Sequence, residues 1–82
     1  MAHFAIFQRD TAGAMIQHLT DASDADAAFA EFAQIVGDDA VRKDFAIVEM
    51  TKVEAAEIER WLEDGQPASK APEWLDEAIR RA

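Results

Sequence analysis

The chain has no cysteine and no tyrosine, only two prolines and three glycines, and eight Lys or Arg against 17 Asp or Glu. Without thiols there can be no disulfide, iron–sulfur cluster or thiolate zinc site, which suits a reducing cytoplasm. Uninterrupted apolar runs reach only four or five residues, whereas a bilayer-spanning helix needs about 20, so no membrane partner is expected. The N-terminus shows no basic segment followed by a hydrophobic one, so export by a signal peptide is not expected and the location is read as cytoplasmic. No stretch has the spacing of a nucleophile, phosphate-binding or cofactor motif, and no cofactor is expected.

The shortage of basic residues is local. Between Asp10 and Asp39 the chain carries seven carboxylates (Asp10, Asp21, Asp24, Asp26, Glu31, Asp38, Asp39) and no Lys or Arg. The rest nearly balances, with 10 acids and 8 bases, so one continuous third supplies most of the net charge of −9. Such a field repels nucleic acid and anionic membrane and attracts cationic surfaces. The bases are dispersed, only Arg42-Lys43 and Arg80-Arg81 being adjacent, and the sequence pI is near 4.4. Direct nucleic-acid binding is therefore not expected.

The 82 residues make one small domain, 1–82. Half the residues are apolar, but 18 of them are alanine, leaving larger side chains for one modest core. Residues 3–8 and 14–19 are short apolar and β-branched runs around a Gly-containing connection, which predicts a hairpin over 3–19. Pairing Ile6 with Ile16 also sets Phe7 against Met15. A one-residue slip would turn every side chain over.

Ser23 with Asp26 three residues on resembles a capping box and opens a helix over 23–36. Its apolar stripe is Ala25, Ala28, Phe29, Phe32, Ile35 and Val36, and Gly37 supplies the stop. Asp24, Asp26, Glu31 and Gln34 take the opposite side. A strand over 45–50 follows. Thr51 and Glu54 form a Thr-x-x-Glu capping box for a helix over 52–64, ended by Gly65. A polar linker, 65–71, leads to a last helix over 72–81, with Pro72 in its first turn. Asp76/Arg80 and Glu77/Arg81 stand acid before base at four-residue intervals. The order ββαβαα, with a helical crossover between strands two and three, predicts an α+β fold whose three-stranded sheet has strand one central and antiparallel to both neighbours.

Several residues are candidates for chemistry. Asp24 and Glu31 lie two helical turns apart on one side, about 10 Å. With Asp26, Asp38 and Asp39 they would form a negative strip able to occupy a basic, nucleic-acid-binding surface, or merely a solvated face. Asp21, Asp24 and Asp26 crowd together, but an EF-hand loop starting at Asp21 needs Gly and Glu where Asp26 and Phe32 stand, so no metal site is expected. His3 and His18 are the only imidazoles; the preferred register puts them on opposite faces, the slipped one on the same face. Catalysis would also need an oriented partner and a nucleophile. Trp61 and Trp74 pack as core or else anchor an interface, for which a homodimer is the simplest partner.

A non-enzymatic module that binds a protein with a basic surface fits best, ahead of a small homo-oligomeric structural or regulatory protein and of an enzyme using His18 or His3. In size, charge and absence of motifs the chain resembles the small acidic proteins of phages and mobile elements, those of the anti-CRISPR type among them. No residue pattern carries the resemblance, so no site is transferred by it. It implies stoichiometric inhibition of a nucleic-acid-binding complex by occupation of its Lys/Arg-lined channel.

Overall fold

The computed structural model describes residues 1–9, 16–37 and 39–82. Its elements are β1 (Ala2–Gln8), β2 (Ile16–Ala22), α1 (Ala25–Val36), β3 (Phe45–Met50), α2 (Lys52–Glu63) and α3 (Leu75–Arg81), with 3-10 turns at Arg42–Asp44 and Ala68–Lys70. The sheet order is β2-β1-β3, with β1 antiparallel to both neighbours. The α+β architecture with strand one central is thus the one the element order predicts.

Strand β1 is central because it is apolar on both sides. Phe4, Ala5, Ile6 and Phe7 are all buried, and alternate side chains enter two different cores. Phe4 and Ile6 join Ala28 and Phe32 of α1 and Ile47 of β3. Ala5 and Phe7 join Ala46, Val48, Ile58, Trp61 and Leu75 on the other side, where α2 and α3 lie. The sheet is therefore sandwiched, with one helix above and two below.

The hairpin register differs from the expected one. Ile6 faces His18, and Phe7 faces Ile16 after a shift at the Ile6–Phe7 step. Gln17 is the extra residue of this bulge, which explains why the alternation along β2 breaks. Ile16 and Leu19 have opposite parity, yet both pack on the α2/α3 core. A regular strand pairing Ile6 with Ile16 would send them to opposite faces. Strand β2 also begins later than the expected 14–19 run and continues through Thr20-Asp21-Ala22. The connection and Met15 lie outside the described residues. The start of β2 is held by α2's end, where Gln66 Oε1 accepts the Ile16 N–H at 3.2 Å. Gln66 follows Gly65, and both have positive φ, 56° and 85°, the left-handed conformation that ends a helix.

The first helix is capped by Asp24 rather than Ser23. Asp24 Oδ1 accepts the Ala27 N–H at 2.8 Å, so the helix starts one turn-position later than Ser23 would place it. Its predicted apolar stripe is filled at Ala28 and Phe32, but Ile35 and Val36 are 65% and 53% exposed. The Thr51/Glu54 capping box of α2 forms in full, at 2.9 and 3.1 Å. The last helix starts at Leu75, not Pro72, because 72–74 form a turn in which Leu75 N–H bonds the Pro72 carbonyl. Glu77 and Arg81 pair at 2.7 Å, whereas Arg80 turns to the Asp76 carbonyl. Arg9, just beyond β1, donates to the carbonyls of Ile79 and Ala82 and so ties α3's C-terminal end to the sheet, a favourable place for a cation.

Phe7→Ala should lower unfolding free energy by about 3–5 kcal/mol, while Val53→Ser, on an exposed position of α2, should change it by less than about 0.5 kcal/mol. Urea unfolding followed by Trp fluorescence measures both. Similar losses for the two would contradict the sandwich.

Candidate functional site

Three acids of the base-free segment, Asp21, Asp24 and Glu31, are held by hydrogen bonds. His18 stands on β2, and its Nε2 lies 2.8 Å from Glu31 Oε2 on α1. An ionised carboxylate only accepts, so Nε2 carries the proton. The ring is stacked at a tilt on Phe32, with centroids 5.9 Å apart. The Thr20 hydroxyl is 3.4 Å from the Asp21 carbonyl, too long for a good O–H···O bond, and its proton is better placed on Glu31. Hydrogen bonding from Thr20 first, and from His18 second, holds the Glu31 carboxyl below its ordinary value.

On the other face of the sheet, His3 Nδ1 lies 2.6 Å from Asp21 Oδ1. These two residues are direct cross-strand partners. The histidines are thus on opposite faces, as the preferred register has them, although that register is itself displaced. The parity of the pairing survives below the bulge, and parity alone decides the face.

The five acids expected to form one strip are placed as follows. Asp24 caps α1. Glu31, seven residues on and on the same flank, reaches β2. Asp26 points to the opposite flank, 3.7 Å from Arg42, whose guanidinium lies over the Phe29 ring. Asp39 is exposed, and Asp38 lies outside the described residues. Asp24 and Glu31 therefore share a side, Asp26 is separated from them, and Asp21 of β2 projects from the other face of the sheet. Trp61 is 4% exposed and donates from Nε1 to the Pro67 carbonyl, so it is core and offers nothing to an interface. Trp74 is half-buried, with Nε1 3.1 Å from Glu57 Oε2.

A depression of about 240 Å³ opens beside the His3–Asp21 pair, lined also by Leu19, Met50, Ala55 and Glu59. Asp21 and Glu59 are site residues that the sequence reading missed. With His3 set opposite Leu19, as the expected register has it, nothing brings Asp21 to His3. Among the described residues neither imidazole is hydrogen-bonded to a hydroxyl, and no group of three His, Asp or Glu side chains is placed to hold a metal ion. No described helix is long and apolar enough to cross a membrane.

Since folding depresses the Glu31 pKa, the unfolded chain binds more protons than the native one in the acid range. The stabilisation from this group is therefore present above its ordinary 4.5 and is lost as pH falls through the depressed value. Glu31→Gln should give a shallower acid-side decline of the urea midpoint than the native chain shows. Superimposable midpoint–pH curves would reject this role. No family model matches the chain, and no match was found among curated proteins or solved structures.

Proposed function

We propose that the protein is a non-enzymatic protein-binding module that docks the β2 edge and the adjoining flank of α1 on a basic protein surface. The observation that carries this reading is the segregation of charge. Strand β2 and helix α1 both come from the stretch without Lys or Arg, and they are neighbours in space. Asp24 and Glu31 on the α1 side and Asp21 on the other face of the same edge strand have donors that are imidazole, hydroxyl or backbone N–H, none of them Lys or Arg. The Lys/Arg ion pairs among the described residues, Arg42–Asp26 and Arg81–Glu77, lie on the other flank of α1 and on α3. A one-signed edge steers a cationic partner and repels wrong ones. A surface that ordinarily holds nucleic acid is the basic surface of greatest charge density, and an inhibitor occupying it is the finer form of the proposal.

Replacing Asp21, Asp24 and Asp39 by Asn and Glu31 by Gln removes charge while keeping the cap, since Asn caps helices as well as Asp. Affinity capture from the source cells with this variant should lose the partners that the native chain retains, and added DNA or RNA should displace those same partners. Retention of the same proteins by the neutralised variant would end the proposal.

A second reading, a small homo-oligomer, is favoured by the exposure of Ile35 and Val36 at the end of α1 and of Val41 in the following loop. Isolated exposed apolar residues are ordinary, but three within seven positions form a patch that association would cover. Sedimentation should then show a mass that rises with concentration, reduced to the monomer by Ile35→Ser with Val36→Ser. A monomer at every concentration would exclude it.

A further inference from the structure

The depression at His3 and Asp21 exists because two helices do not cover a three-stranded sheet evenly. Strands lie about 4.8 Å apart and a helix with its side chains is about 10 Å wide, so one helix shields two strands. Helix α2 packs chiefly on β1 and β3, which leaves the β2 side of that face open. Leu19 is consequently only half-buried. The hollow has an apolar floor of Leu19, Met50 and Ala55, with a carboxylate from β2, Asp21, and one from α2, Glu59, on its walls. Ala55 and Glu59 are one helical turn apart, so the helix wall presents a small residue beside an acid.

His3 gives this hollow a fixed geometry. Its Nδ1–H bonds Asp21 Oδ1 at 2.6 Å, which sets both rotamers and leaves Asp21 Oδ2 available. The Asp21 side chain is 58% exposed and the His3 ring 37% exposed, so both can be reached from solvent. Met50 is the cross-strand neighbour of His3 on its other side. An aromatic plane, two carboxylates on separate walls and an apolar floor thus meet at one place.

We infer that this hollow receives an arginine side chain of the protein partner. The inference rests on the docking reading above and names the anchor within it. The aliphatic stem of arginine packs on Leu19 and Met50, as long cationic side chains do on apolar surface. Its planar guanidinium lies over the imidazole and sends divergent N–H groups to Asp21 and Glu59. Lysine fits less well, because its ammonium is compact, strongly hydrated and does not stack. An anionic ligand would meet two like charges. The hollow adjoins the base-free β2 edge, so a basic surface approaching that edge brings its side chains to the opening.

The test is an NMR titration of the intact chain with a capped Ala-Arg-Ala peptide, with citrulline and lysine peptides as controls. Citrulline has the shape of arginine without its charge. The arginine peptide should give saturable shifts centred on His3, Leu19, Asp21, Met50 and Glu59, and the citrulline peptide should give none. Lysine should bind more weakly. In the variant Asp21→Asn with Glu59→Gln, loss of two charge-assisted bonds should weaken the arginine peptide by about tenfold or more, with a dispersed spectrum confirming the fold. Equal binding of arginine and citrulline peptides overturns the inference even if that variant fails to fold. So do shifts centred on Asp24, Asp26 and Glu31 instead. Partner capture lost on neutralising the β2–α1 edge, with no saturable arginine shift, removes the anchor but leaves the docking reading. Saturable arginine binding with partner capture unaffected by that neutralisation removes the docking reading, and with it a protein as the source of the guanidinium.

Discussion

A strand in the middle of a three-stranded sheet that carries helices on both faces is covered on both sides along its central stretch, and the residues there must be apolar. In this chain that demand falls on four consecutive residues, Phe4 to Phe7, all of them buried. They feed two cores, to which β3 also contributes through Ala46, Val48 and Met50 on one side and Ile47 on the other, and each core is thin. One is closed by α1 alone, the other by α2 and α3. Loss of β1 pairing would open both at once, so the sandwich is expected to unfold as a unit rather than layer by layer. The edge strands answer to a weaker demand. Strand β3 still buries four of its six residues and is exposed at Glu49, whereas β2 is mostly half-buried and carries Asp21 to solvent. Charged edge strands also discourage sheet-to-sheet pairing between copies.

From that arrangement the distribution of charge follows. The chain visits β2 and α1 in direct succession, without leaving the base-free stretch, and α1 folds back along β2 through the His18–Glu31 contact. A base-free stretch of sequence thus becomes two adjacent base-free elements of the fold. Asp26 stands apart, because the 3.6-residue period turns it toward Arg42 and away from Glu31. A sequence count places five acids on one strip; of the three on α1 and its cap, helical geometry sets Asp26 on a different flank from Asp24 and Glu31.

The elements were largely legible because their signals are local. Apolar runs of four residues marked β1 and β3, and the Thr51/Glu54 box and Gly65 bracketed α2 within a residue of its observed bounds. What was not legible depends on distant residues. The bulge at Gln17 exists so that Ile16 and Leu19 can fill the same core, which no hairpin rule reveals. Thr20-Asp21-Ala22 lies beyond the expected hairpin and becomes strand because Ala2 and His3 pair with Ala22 and Asp21. Ile35 and Val36 continue the apolar period of α1 and are nonetheless exposed, since periodicity states which side a residue takes but not whether anything packs against it. The His3–Asp21 pair and its hollow were hidden for the same reason: they depend on the register and on where α2 crosses the sheet.

The choice of histidine as the companion of these acids has a physical consequence. A lysine or arginine beside Asp21 or Glu31 would orient the carboxylate and also cancel its charge. An imidazole in its neutral form donates one N–H, which orients a carboxylate equally well and leaves the charge in place. The Asp24 cap does the same with a backbone donor. Carboxylates whose rotamers are already fixed lose less freedom when a cation docks, so more of the electrostatic attraction is retained as affinity. In a hydrolase the same His–carboxylate pairs would orient an imidazole toward a nucleophile or a bound water. Here each imidazole directs its hydrogen bond to an acid at the surface.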